Sequence, residues 1–486
     1  MLQKGRKHML RHTLICLLAA TSLGYLPTVH AADEPTKPKQ PNVLFIAIDD
    51  LNHWVGYLGR NPQTQTPNMD RFAKSGVAFT KAYCTAPACN PSRASLMSGQ
   101  RPSTTGCYLN EQNWRPGISE DKLLNSHFFK AGYDVYGSGK IYHGAADRGG
   151  DWTDYFAGVR NPNKVDSKLE NVGGGLLFGK LPISDEEMPD YAVVSYALEK
   201  LKEKHDKPFF LAVGLSKPHL PFAVPAKWFD KFPLESIELP PHRDDDLDDV
   251  PPAGIKMSKR DSDHAKVLKS GRWKELVQAY LASIAFCDAQ VGRLLEGFEA
   301  SPYRNNTIVV LWSDHGWSLG EKEHWRKFAL WEEPTRTVFA WRVPGVTQPN
   351  MICDRAIDYS SIYPTLCELA GLPLPSHLDG HSLAPLLKNP KAAWEFPAVT
   401  TQGIKNHTVR DDNWRYIRYA NGDEELYDDQ HDPLEYTNLA KKPEYADRKA
   451  ELAKWLPKSD APDLPMSRGQ GKQAGKGKKA RAAAEE

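Results

Sequence analysis

Four segments that read as buried strands, three of them continuous apolar runs, constrain this chain most, because each one stops at chemically reactive side chains. Residues 42–48 end in Asp49 and Asp50. Residues 134–139 close on Gly137, Ser138 and Gly139 and lead to Lys140, with His143 three residues on. Residues 208–214 lead to Ser216, Lys217, Pro218 and His219, and residues 307–312 to Asp314, His315 and Gly316. A strand with one wet face alternates apolar and polar residues, whereas a strand covered on both faces reads as a continuous apolar run. The four segments therefore predict an α/β fold with a mostly parallel central sheet flanked by helices. In such sheets ligands gather at the carboxyl ends of the strands, where the acids, lysine and histidines sit. A flanking helix is predicted over residues 273–299, with Leu276, Tyr280, Ile284, Val291 and Leu295 on its buried face. Shorter elements are expected over residues 66–75 and 358–369 as helices, and 77–79 and 338–341 as strands.

A second feature is the stretch Cys89-Asn90-Pro91-Ser92-Arg93-Ala94-Ser95-Leu96-Met97-Ser98-Gly99. Asn90 reads as a helix N-cap and Pro91 as the first helical residue. Cys89 then stands at a helix start, where free N–H groups attract anions. A lone cysteine is more often a small buried hydrophobe. Its company decides the matter. Three carboxylates suit a hard divalent cation, and Lys140, Lys327, Arg93 and two histidines suit a bound oxyanion.

The chain has 486 residues, more than one core usually organises, so one large domain with an appendage, or two domains, is expected. A formal net charge of +1 provides no global field for nucleic acid or membrane. Lys4, Arg6, Lys7 and Arg11, an apolar segment over residues 14–26 and Val29-His30-Ala31 read as a signal peptide over residues 1–31, so the protein is expected to be exported, periplasmic or secreted. No later apolar run is long enough to span a bilayer, so an integral membrane protein is not expected. Residues 32–41 read as a linker, 42–391 as the main domain, 392–460 as a smaller C-terminal α+β subdomain with a short antiparallel sheet, and 467–486 as a disordered basic tail. The charged stretch 243–269 reads as an exposed insertion. Beyond Cys16 the cysteines are Cys84, Cys89, Cys107, Cys287, Cys353 and Cys367, whose pairing spacing does not decide.

Taken together, the motifs resemble the type I sulfatases of the alkaline phosphatase-like superfamily. The resemblance is carried by Cys89-Asn90-Pro91-Ser92-Arg93 with Leu96 and Ser98-Gly99. It extends through Asn42 to Asp50, Ser138-Gly139-Lys140 with His143, Lys217-Pro218-His219 and Asp314-His315-Gly316 with Gly320-Glu321. Leu426-Tyr427-Asp428, Asp432-Pro433, Glu435 and Asn438-Leu439 are similar to the family's closing motif, and Trp325-Arg326-Lys327 is most like the iduronate-2-sulfatase branch.

The resemblance implies that Cys89 is converted to formylglycine by a formylglycine-generating enzyme during export. It also implies one Ca²⁺ per chain, held by Asp49, Asp50, Cys89, Asp314 and His315, although histidine is unusual for calcium. Arg93 would hold the formylglycine, and Lys140 would stabilise growing charge. His219 and Lys327 would contact the sulfate, His219 protonating the leaving alkoxide, and His143 would take the proton that restores the aldehyde. The implied substrate is a sulfated carbohydrate, either a 2-O-sulfated uronic acid or another polysaccharide-derived sugar. The alternatives are a phosphonate or phosphodiester hydrolase of the same superfamily and, if Cys89 stays a thiol, a non-catalytic sulfated-glycan binder. Groups that choose the substrate are expected on the loops 108–115, 243–269 and 394–405.

Overall fold

The computed structural model describes residues 40–144, 148–159 and 169–467. The signal peptide, most of the linker and all but the first residue of the basic tail lie outside the described residues.

The strand Asn42–Asp49 runs through the middle of an eight-stranded sheet and is buried along its whole length. Across the sheet the order is Met351–Cys353, Val77–Phe79, Phe339–Arg342, Thr307–Ser313, Asn42–Asp49, Phe209–Pro218, Asp134–Gly139, Asp154–Phe156. Only Phe339–Arg342 runs against its two neighbours. The four predicted strands are thus the four adjacent central strands, in parallel. Their side chains alternate between two cores. Leu44, Ile46 and Ile48 face one, and Val43, Phe45 and Ala47 the other.

The first core is covered by the helix Trp273–Glu299, which buries all five residues of its predicted face. The second is covered in part by the helix Cys89–Ser98, through Ala94, Leu96 and Met97, and by Ile362–Ala370. Cys89 and Tyr280 therefore reach the same carboxyl edge of the sheet from opposite layers. A polar or charged group there meets other chain on every side, so it must find partners or a ligand.

The strands Ala398–Thr401, His407–Arg410, Trp414–Arg418 and Glu424–Asp428 form an antiparallel meander. Val399, Val409, Tyr416 and Leu426 pack against Leu452 of the helix Ala446–Ala453. The other face of that sheet corrects in part the reading of 243–269 as an exposed insertion, which holds for residues 243–245, Lys256 and Lys259 but not for the residues beneath the sheet. Leu247 and Val250 pack with Ile417, Tyr419 and Tyr427 in one buried cluster. The charges that make this stretch look solvated are partly spent on ion pairs, Asp246 with Lys322 and Asp263 with Arg326.

All six described cysteines are free and buried. No helix among the described residues is long and apolar enough to cross a membrane.

Candidate active site

The helix that carries the reactive cysteine begins two residues earlier than its sequence predicts. Ala88 is the N-cap and Cys89 the first helical residue. Asn90 is not a cap. Its Nδ2 donates to the carbonyls of Leu109 at 2.9 Å and Gln112 at 2.8 Å, tying the helix start to the next loop. Pro91 falls third in the helix, where it is still tolerated because the first turn's N–H groups have no intrahelical partner. Asn110 supplies what a cap would, its Oδ1 accepting the Asn90 N–H at 2.9 Å.

Around the sulfur lie groups from four other segments. Lys327 Nζ donates to Cys89 Sγ and to Asp50 Oδ1, each at 2.9 Å. His315 Nε2 lies 3.3 Å from the sulfur and 3.2 Å from Asp50 Oδ1. His143 also acts on the thiol, favouring its charged form. Burial pushes the Cys89 thiol up, but Lys140, Lys327 and His315 outweigh it and hold the pKa well below its ordinary value. At the buried Cys84 and Cys287 burial wins, over Arg415 in the case of Cys84, and both are pushed well above theirs.

Arg93 and Lys140 form a second tier. Arg93 is fully buried; Nε donates to Asp314 Oδ2 at 2.8 Å and Nη2 to Asp49 Oδ1 at 3.3 Å, while Nη1 holds the Lys140 carbonyl at 2.6 Å. Lys140 Nζ takes the other Asp49 oxygen at 2.6 Å. Burial raises the Asp49 carboxyl, but Lys140, His219 and Arg93 pull it below the usual carboxylate range. Asp314 is raised to about 6 by burial, against Arg93 and His315. Burial lowers His315, yet Asp314, Cys89 and Asp50 raise it to about 9.

His219 Nε2 stands 3.7 Å from Asp50 Oδ2 and is the more exposed partner, at 17%. Its Nδ1 lies 2.6 Å from the Leu220 carbonyl, which can only accept, so the proton on that nitrogen is fixed and Nε2 faces the cluster. His315 is held the same way, Nδ1 to the Gly316 carbonyl at 2.9 Å. Lys217, beside His219, instead braces the turn through the His219 and Pro221 carbonyls.

A divalent cation fits this arrangement. Asp50, Cys89, Asp314 and His315 offer four donor atoms all within 4.8 Å of one another. Asp50 Oδ2 is buried with no hydrogen-bond partner, a costly state unless a cation answers it. Asp50 also holds a left-handed backbone at φ 58°, which the Tyr280 hydroxyl and Ser313 stabilise by bonding the Asp50 carbonyl and the Leu51 N–H. A set with sulfur is soft for calcium; replacing the sulfur of Cys89 by oxygen would harden it. Asp49 stands outside this set and forms another with Asp50 and His219.

All ten predicted site residues, Asp49, Asp50, Cys89, Arg93, Lys140, His143, His219, Asp314, His315 and Lys327, converge at this edge. Sequence reasoning missed Asn110, Tyr280 as an Asp50 brace, and Asp190. The last accepts the Ser216 and Lys217 N–H groups at 2.9 Å and so sets the turn that carries His219. A buried acid at the start of the helix Pro189–Lys202, directly after its proline, was the available signal for Asp190.

Residues 41–372 match the Sulfatase family model, and residues 320–461 the model described as N-sulphoglucosamine sulphohydrolase, C-terminal. The chain is 40% identical over 447 residues to a sulfatase of Formosa agariphila, covering 87% of each chain. It is 31% identical over 387 residues to iduronate 2-sulfatase of Mus musculus, covering 69% of each. Among solved structures, a 2-O GAG sulfatase superposes with a TM-score of 0.67 at 25% identity, covering 86% of this chain and 91% of that one.

Proposed function

The chain belongs to the sulfatase family, as a type I member of the alkaline phosphatase-like superfamily, and from that premise we propose that it releases sulfate from an ester on an acidic carbohydrate. The proposed substrate is a 2-O-sulfated uronic acid or another polysaccharide-derived sugar, an iduronate-2-sulfatase-like specificity. The observation that carries the reading is Cys89 itself: a buried thiol at a helix start, ringed by Lys140, Lys327, His315 and His143. Such surroundings favour an anion at that position and an oxyanion beside it.

In this reading Cys89 is the site of formylglycine, installed by a formylglycine-generating enzyme while the chain is exported behind its 1–31 leader. Asp50, Asp314 and His315, with the modified residue and Asp49 behind them, would hold Ca²⁺, which when bound supplies Lewis-acid stabilisation of sulfate charge. Arg93 orients Asp314 and Asp49 so that their oxygens stay on the cluster. Lys140 and Lys327 bind the sulfate oxygens. His219 carries a proton on Nε2 to the leaving alkoxide, its ring held by the Leu220 carbonyl. His143 takes a proton from the group at position 89. Residues 42–391 carry all of these groups, and residues 392–460 act as a supporting subdomain.

Two other readings share the same pocket: phosphonate or phosphodiester hydrolysis, and glycan binding without turnover if Cys89 stays a thiol. Free sulfate and free phosphate are measured on a panel of sulfated oligosaccharides and on a matched phosphodiester. The expected outcome is sulfate release with kcat/KM at least about a hundredfold above the diester, roughly 2.7 kcal/mol in transition-state stabilisation. Preference for the diester contradicts the proposal.

A further inference from the structure

Three loops that the sequence marks as substrate-choosing meet at one cleft beside Cys89. The cleft has a volume of about 600 Å³, and Ala88 and Phe328 on its wall are the chain neighbours of Cys89 and Lys327. Asn110 comes from the first loop, Lys256 and Lys259 from the second, and Gln402 from the third. This size is ordinary for a pocket that encloses most of a ligand larger than one small ester.

Four amide or ammonium groups on the wall are left without a hydrogen-bond or ion-pair partner among the described residues, while Asn406, Tyr419 and Asn421 are held by their own neighbours. Asn110 is 7% exposed. Its Oδ1 accepts a backbone N–H, which can only donate, so the amide orientation is fixed and Nδ2 is the free end. That Nδ2 is buried without a hydrogen-bond partner, and so is Gln402 Oε1. Buried donors and acceptors are nearly always paired, so both call for a ligand. Lys256 and Lys259 are exposed and belong to no ion pair among the described residues, while their neighbours Arg260, Lys266 and Arg326 are paired with acids. Lys259 also lies over the Phe328 ring, its ammonium 5.5 Å from the centroid. Glu111 is the one carboxylate on the wall, which leaves the cleft net positive.

We propose that this cleft is a second anion subsite, in which Lys256, Lys259 and Asn110 Nδ2 bind an oxyanion of the substrate other than the scissile sulfate. Gln402 Oε1 accepts a hydroxyl of the same molecule. The oxyanion is a carboxylate or a second sulfate. The inference rests on the sulfatase reading and adds to it that the substrate carries at least two anionic groups and fills the cleft.

The test uses three disaccharides with one scissile sulfate each, whose second ring carries a hydroxyl, a carboxylate or a sulfate at one position. Both kcat/KM and calorimetric binding to the Cys89→Ala protein are measured. Wild-type protein is expected to favour one or both dianions over the hydroxyl compound by about tenfold or more, a factor typical of one charge-assisted contact; the favoured member identifies carboxylate or sulfate. The double variant Lys256→Met/Lys259→Met is expected to bring that ratio close to one. Asn110→Asp keeps the acceptor for the Asn90 N–H and replaces the donor by an anion, so it should lower the ratio as well. Equal kcat/KM on all three compounds, or an unchanged ratio in the double variant, overturns the subsite. If no compound releases sulfate but Cys89→Ala protein still prefers the dianions in a lysine-dependent way, the subsite stands and the reaction is wrong.

Discussion

Two buried clusters of charge in this molecule both set acids among cations, and they differ in what else converges on them. Around Arg415 the guanidinium is fully engaged: Nη2 meets Glu332, Nε meets Glu435, and Nη1 reaches the Leu330 carbonyl at 3.1 Å. Glu435 returns a bond to the Glu332 N–H at 2.9 Å. Glu332, Asp429 and Glu435 approach as closely as metal ligands do, but Arg410 and Arg415 stand among them and supply the positive charge. Around Cys89 the cations are just as close, yet Asp50 Oδ2 has no hydrogen-bond partner and His219 faces it at 3.7 Å. The closed cluster fastens the small sheet to the segment behind Lys327. The open one gathers a cysteine, two histidines and an unpartnered Asp50 oxygen, which in the proposed reading a cation and an anionic substrate engage. Asp429 in the first cluster also has buried oxygens without a hydrogen-bond partner, with Arg410 Nε 3.5 Å away, so neither buried charge nor an unmet oxygen alone identifies a reaction centre; the convergence of a cysteine, histidines and acids around Cys89 does.

The largest effect expected from breaking this contrast is on turnover. Lys140→Ala and His219→Ala should each lower kcat by about 10²–10⁴-fold, the range for a lost electrostatic or acid-base group. Their melting temperatures should move much less than their rates. Near-wild-type kcat in either variant removes that residue from the mechanism.

The closed cluster should respond in the reverse sense. Arg415→Met strands Glu332 and Glu435 without their partner, and removing one member of a buried pair costs about 3–5 kcal/mol. Chemical denaturation should show that loss, while the protein that remains folded keeps its kcat. A variant with wild-type stability and reduced kcat would put Arg415 in the reaction rather than in the framework.

Next in size is the cation. At a thousandfold excess over its Kd, a ligand that binds only the native state adds about 4 kcal/mol. Calcium returned to chelator-stripped protein should therefore raise the melting temperature and restore sulfate release. No change in either, with no metal in the untreated protein, would leave Asp50 and its neighbours as a purely ionic cluster.

The smallest effect is a pH dependence at the edge of the closed cluster. His53 is buried with Nε2 3.2 Å from Glu333. Burial lowers its pKa from 6.5 to about 4, and Glu333 only partly opposes this. The unfolded chain then binds the proton first, so stability is present above pH 6.5 and is lost as pH falls towards 4, by about 3 kcal/mol. His53→Gln should flatten that part of the stability curve relative to wild type, and identical curves would contradict the assignment.

What the sequence made legible is what it encodes contiguously. The stretches ending at Asp49, Lys140, His219 and Asp314 are strand and ligand in one segment, so apolar continuity and a following acid or histidine locate both. The Trp273–Glu299 helix was legible because its periodicity is long. Asn110 and Asp190 were not, because each is a single polar residue whose partner is remote or depends on where a turn closes. The N-cap assigned to Asn90 failed for a related reason: its side chain finds carbonyls of the 109–112 loop, and a propensity for capping cannot anticipate that competition. The 243–269 stretch is only partly exposed because Asp246 and Asp263 pair with Lys322 and Arg326 from a distant segment, with Leu247 and Val250 buried beneath the small sheet.

The central claim is that Cys89 matters as the precursor of another group. It is tested by making the protein with graded amounts of a formylglycine-generating enzyme, measuring the converted fraction of the Cys89 peptide by mass spectrometry, and plotting sulfate release against it. A line through the origin is the expected result. Sulfate release that does not change with conversion, or full conversion with no release from any sulfate ester, would contradict it.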